Sequence, residues 1–131
     1  MLVIEFPAPN PPLSINEANK MHWGTRSRRL KPWRQAAFDA AISLPSTVIA
    51  EGVGTAQRLE ATIHLPFKTK RRRDPHNYVG TNVKAIIEGL VDAGMILDDT
   101  PEYITVNEPV LLVGESNQVV VYLSEAPDYT E

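Results

Sequence analysis

The chain has 131 residues, 13 Lys and Arg against 16 Asp and Glu, no Cys, and 43% hydrophobic residues. This suits one domain over 1–131 with a single core, and it excludes wholesale disorder, disulfides, thiolate metal sites and cysteine nucleophiles. A formal net charge of −3 would, taken alone, argue against a nucleic-acid partner.

In chain order, residues 2–6 alternate as an opening strand, which Pro7, Pro9, Pro11 and Pro12 end. No basic segment or cleavage-site pattern precedes it, so no signal peptide is expected. Residues 7–29 read as loop, being rich in Pro, Asn, Ser and Gly. The segment 31–43 reads as a helix with Pro32 in its first turn and Trp33, Ala37, Ala40 and Ala41 at helical spacing. Residues 45–56 read as a connector.

In 58–66, Leu59, Ala61, Ile63 and Leu65 alternate with polar residues, the pattern of a half-buried strand. A polar turn over 68–77 follows. The clearest helix is 82–93, where Val83, Ile86, Ile87, Leu90 and Val91 make one apolar stripe, stopped by Gly94. An acidic turn at 98–101 leads to two strands, 103–113 and 117–124, with residues 114–117 as a hairpin connection. The tail 125–131 reads as solvated. No apolar run, 110–113 included, is long enough to span a membrane. The expected fold class is α+β, one mixed sheet with two main helices.

The location of the charge reverses the first impression. All 13 basic residues lie in 1–84 with 6 acidic ones, a net of +7, whereas 85–131 holds 10 acidic residues and no Lys or Arg. Two clusters dominate: Lys20, Arg26, Arg28, Arg29, Lys31 and Arg34, then Lys68, Lys70, Arg71, Arg72 and Arg73. Either alone reads most simply as a solvated face. Two dense runs flanking a carboxylate motif point to a polyanion, because guanidinium forks match phosphate oxygens.

The carboxylate motif runs from Arg71 to Asp99. Asp74 ends a triple-Arg run, His76 and Asn77 follow, Lys84 lies one turn into the helix, and Asp98–Asp99 lies past the helix end. If the two ends meet, Asp74, Asp98 and Asp99 supply the hard oxygen ligands that Mg²⁺ needs, and Lys84 holds a phosphate as a point charge. A helix between them keeps its ends apart by about 1.5 Å per residue, so the chain must fold back for this. The competing structural reading makes Asp74–Pro75 an N-cap with a first-turn proline, Asp98–Asp99 a turn, and Lys84 a partner of Glu88.

This stretch resembles the RusA family of Holliday-junction resolvases, small homodimeric Mg²⁺-dependent endonucleases common in bacteriophages and prophages. The resemblance lies in RRRD (71–74), the turn DPHN (74–77), VKAIIEGLVDAG (83–94) and ILDD (96–99), with the Pro-rich segment 7–16 as a weaker likeness. It implies a catalytic set of Asp74, His76, Lys84 and Asp99, and a metal set of Asp74, His76, Asp98 and Asp99 for Mg²⁺, with Mn²⁺ as the other candidate. It also implies DNA contacts by Lys20, Arg26, Arg28, Arg29 and Lys31 and by Lys68, Lys70, Arg71, Arg72 and Arg73, a homodimer, branched DNA as substrate, no membrane, and the cytoplasm of a bacterial host.

Two departures stand out. His76 replaces the family's second aspartate, and about four extra residues lie between Asn77 and Lys84. Imidazole suits Mn²⁺ and later metals better than Mg²⁺. The alternative reading is therefore a branched-DNA-binding protein without nuclease activity, and a third is a module whose acidic half docks a basic protein. His64 reads as a surface residue or phosphate contact. Trp23 beside His22, and Trp33, read equally as core or interface anchors and as nucleobase platforms.

Overall fold

The computed structural model describes residues 1–127. Strand β1 (Leu2–Pro7) lies antiparallel to β5 (Gln118–Glu125), which lies antiparallel to β2 (Leu59–Phe67). On the other flank of β2, both β3 (Ile104–Val106) and β4 (Val110–Val113) run parallel to it. The result is a small α+β domain with a mixed five-stranded sheet and, among the described residues, four α-helices.

Alternation builds the core. Leu2, Ile4 and Phe6 of β1, Leu59, Ala61, Ile63 and Leu65 of β2, and Val119, Val121 and Leu123 of β5 are all buried. The intervening residues of β2 and β5 are only partly buried, and His64 packs on Tyr122 there with ring centroids 4.8 Å apart.

The helices are α1 (Ile15–Asn19), α2 (Trp23–Ile42), α3 (Ser46–Val53) and α4 (Lys84–Asp92). Helix α4 continues a 3₁₀ turn at Pro75–Tyr78 and a π-helical turn at Val79–Val83. Trp33, Ala37 and Ala41 of α2 face Ile86, Ile87 and Leu90 across a close crossing, where a Cβ on Gly89 would lie 2.2 Å from the carbonyl oxygen of Arg34. Arg34 clamps the outside of the crossing: Nε reaches Asp92 at 2.6 Å and Nη1 reaches Glu88 at 2.8 Å. The Arg34 hydrogen bond holds the Asp92 carboxyl below its ordinary range.

Helix α4 ends in two paired bonds, Gly94 N–H to the Val91 carbonyl and Met95 N–H to the Leu90 carbonyl, both 2.9 Å. Gly94 sits at φ +76, so glycine is the residue that fits.

Four expectations need correction. The stretch 7–29 is not all loop, since it holds α1 and the first two turns of α2. The helix expected at 31–43 begins at Trp23, so Pro32 lies inside it. Gly24, Thr25 and Ser27 are weak helix formers, and the basic residues leave no apolar stripe there to reveal the period. The connector 45–56 contains α3, which makes the number of helices larger than two. The polar turn 68–77 ends in the 3₁₀ turn, and the helix expected from residue 82 has its first helical turns at 75–83.

The hairpin expected around 114–117 is also absent. β4 and β5 are antiparallel, but β2 is inserted between them. Residues 114–117 cross the end of β2, with Gly114 N–H bonded to the Phe67 carbonyl and the Asn117 carbonyl accepting from Ala8 N–H. A four-residue link spans two strand spacings of about 4.8 Å as readily as one. The strand expected at 103–113 is broken by a bulge at 107–109, where Asn107 bonds Glu60 and Thr62 and the buried Pro109 cannot donate to the ladder. Of the tail expected to be solvated, residues 128–131 lie outside the described part.

Candidate functional site

β2 sets the geography, because its two ends lead to the two halves of the carboxylate motif. Its C-terminal end runs into residues 68–74 and so into Asp74. Its N-terminal end pairs with β3, and residues 99–103 arrive there, with Leu59 N–H on the Tyr103 carbonyl at 2.9 Å and Arg58 Nε on the Pro101 carbonyl at 3.0 Å. A nine-residue strand rising about 3.3 Å per residue puts these ends roughly 26 Å apart. Within one chain, Asp74 and Asp99 therefore stand at opposite ends of the sheet.

Asp74 caps the 3₁₀ turn. One carboxylate oxygen accepts from His76 N–H at 3.0 Å, and Pro75 occupies the first helical position. Asp98 accepts from Asp99 N–H at 2.8 Å, and both aspartates are exposed. His76 is exposed as well. Among the described residues, no three His, Asp or Glu side chains are grouped to hold a metal ion. Asp74, His76, Asp98 and Asp99 of a single chain thus do not fit one ion.

Lys84 stands ten residues beyond Asp74, roughly 15 Å along a helix rising about 1.5 Å per residue. It is exposed and opens onto a groove of about 270 Å³ between α2 and α4, shared with Arg26, Lys31 and Arg34. Its expected helix partner, Glu88, is held by Arg34 instead.

One residue of the first basic cluster, Arg29, meets the second cluster. Arg29 from α2 and Lys68, Arg71 and Arg73 from the loop after β2 line one cleft of about 520 Å³, whose floor includes Phe67 and Tyr78. The guanidinium of Arg73 lies 4.1 Å from the centroid of the Phe67 ring and donates to the Thr69 carbonyl at 2.8 Å. Phe67 in turn meets Tyr78 edge-on at 5.3 Å. Burial pushes the Tyr78 phenol up, against the opposing effect of Arg73, so it stays protonated at neutral pH.

Arg29 is fixed by the Pro-rich segment: Nη2 donates to the Pro11 carbonyl at 2.6 Å, and Nε to Asn10 Oδ1 at 3.3 Å. Asn10 Oδ1 also accepts from the buried Trp33 at 2.9 Å, and its amide returns a bond to the Arg29 carbonyl. Lys20, Arg28, Lys70 and Arg72 are exposed around these elements.

A second polar anchor holds the same segment. Thr81 Oγ1 donates to the Leu13 carbonyl and Asn82 Oδ1 accepts from Leu13 N–H at 2.8 Å, all three residues being buried. The Asn82 amide nitrogen is buried with no partner among the described residues. Thr81 and Asn82 lie in the π-helical turn, the wider turn that fits an extra residue into a helix.

Asn10, Phe67 and Tyr78 were not singled out by sequence reasoning. Their roles come from long-range contacts, and none of the three stands in a motif; the triplet of prolines around Asn10 signals only an extended segment. Comparison with known protein families and with curated proteins finds no match to this chain.

Proposed function

We propose that the chain is a metal-dependent endonuclease for branched DNA, of the kind the RusA resemblance implies. The observation that carries this reading is the convergence of Arg29 with Lys68, Arg71 and Arg73 on one cleft at the end of β2 that leads to Asp74. A second feature supports it. Arg26, Arg28 and Arg29 crowd the N-terminal half of α2, with no acidic residue in its first turn. Cations there oppose the helix dipole, a local cost that an anionic partner offsets. Such a surface grips phosphates by charge and shape, with little base reading.

Hydrolysis needs Asp74 and Asp99 together, so the reading calls for two chains. The edge opposite β1 is formed by β3 and β4, interrupted by the bulge at 107–109 with its Pro109, and beyond the bulge β4 exposes Val110, Leu112 and Val113 with no charged residue among them. Pairing this edge with a second copy about a dyad runs the two edges antiparallel. The β4 end of one chain, next to Asp74, then meets the β3 end of its partner, next to Asp99. Two equivalent half-and-half sites result, which suits symmetric cutting of a junction. The set completed in this way, Asp74 and His76 with the partner chain's acidic pair, is mixed oxygen and nitrogen, for which Mn²⁺ is a better match than Mg²⁺. Lys84, Arg26 and Lys31 would hold an adjoining stretch of backbone. The expected setting is the cytoplasm of a phage-infected or prophage-bearing bacterium.

The test is cleavage of a four-way junction with Mg²⁺ or Mn²⁺ by the wild type, Asp74→Asn and Asp99→Asn. The wild type should cut and both variants should bind without cutting. Full activity in both variants would refute the assignment. The separation of Asp74 from Asp99 within one chain also favours a second reading, a branched-DNA-binding protein without nuclease activity. Salt-dependent binding by the wild type with no cleavage under either metal would select it.

A further inference from the structure

The two tryptophans have opposite fates. Trp33 is fully buried, with Nε1 bonded to Asn10, whereas Trp23, the first residue of α2, is 76% exposed. A large aromatic side chain left in water calls for an explanation, because its burial is strongly favourable. Its backbone is firmly placed. His22 caps the helix, with Nδ1 accepting from Gly24 N–H at 3.1 Å and its carbonyl accepting from Arg26 N–H at 3.0 Å. Gly24 leaves room for this, since a Cβ there would come within 3.3 Å of the His22 ring. The His22 and Trp23 rings lie 5.7 Å apart at 35°.

The surroundings are cationic. Lys20 and Arg26 lie within three residues of Trp23, and Arg28 is held nearby by Thr25. No acidic residue occurs between Glu17 and Asp39. An indole face among cations matches a nucleobase with its phosphates, combining stacking with charge. A second copy of the chain is the poorer occupant, because a self-complementary contact would set the same cations against one another.

We propose that Trp23, steadied by His22, is a stacking platform for an unpaired base at the branch point of DNA. This rests on the nucleic-acid reading above and adds to it a contact that reads a base rather than a phosphate.

The experiment compares binding of a four-way junction carrying unpaired bases at the branch with the same junction made abasic at those positions, at fixed salt. Wild type, Trp23→Ala and Trp23→Phe are used as full chains, with sedimentation velocity alongside. The wild type should prefer the intact junction by roughly tenfold, the scale of one base–aromatic stack. Trp23→Phe should keep most of this preference. Trp23→Ala should lose it while binding the abasic junction as tightly as the wild type. Equal preference in Trp23→Ala, or a wild type that binds both junctions alike, overturns the platform and leaves the nucleic-acid reading standing. A wild type that binds neither overturns both. A change of oligomeric state in Trp23→Ala without DNA makes Trp23 an interface residue and overturns the proposal.

Discussion

At Asp74, the two roles that sequence reading set against each other are compatible. It caps the 3₁₀ turn through one carboxylate oxygen, as the structural reading expected, and its other oxygen has no hydrogen-bond partner among the described residues. A cap and a functional carboxylate are compatible here because a carboxylate has more acceptor sites than one backbone N–H can use. Arg71 and Arg73 show how neighbours divide labour: Arg73 is held by Phe67 and Thr69, while Arg71 lines the same cleft and is exposed. Replacing Arg71 with Ala should lower the slope of log affinity against log salt by about 0.9, one phosphate's worth of counterions. A slope unchanged in a binding titration from low to moderate salt would place Arg71 off the DNA path. The charged residues of the proposed interface were legible because charge clusters are visible in one dimension. Asn10, Phe67 and Tyr78 were not, since what they do depends on residues 19, 6 and 11 positions or more away that only the fold brings together.

At the scale of elements, the strands β1 and β2 and helix α4 could be read from sequence because each buries a regular apolar period. The first half of α2 could not. Its residues face water, cations and the Pro-rich segment, so no stripe marks its turns, and the helix is sustained by packing of its second half on α4. That crossing depends on Gly89. Gly89→Ala would drive a methyl into the Arg34 backbone and should cost about 3 kcal/mol, the upper part of the usual range for overpacking. Thermal or denaturant unfolding measures this; a variant as stable as the wild type would show that α2 and α4 part without cost. The missed topology of β4 and β5 has a related cause. Sequence specifies that both are strands and that their link is short, but not that the buried strand β2 takes the place between them.

For the whole molecule, net charge of −3 is the least informative number, because the basic residues all precede residue 85 and the fold brings Arg29 of the first cluster to Lys68, Arg71 and Arg73 of the second at one end of β2. The same fold sends the motif's two acidic ends to opposite ends of that strand, which no reading of spacing could decide. In the proposed enzyme, two chains complete each site. This is tested most directly by mixing Asp74→Asn and Asp99→Asn chains through joint refolding and assaying a four-way junction with Mn²⁺. Each mixed dimer would then hold one site with both aspartates intact and one with neither, so the mixture should nick a single strand where either variant alone does nothing. A mixture as inactive as its parts, under conditions where the wild type cuts and mixed dimers are shown to form, would rule out a site shared between two chains.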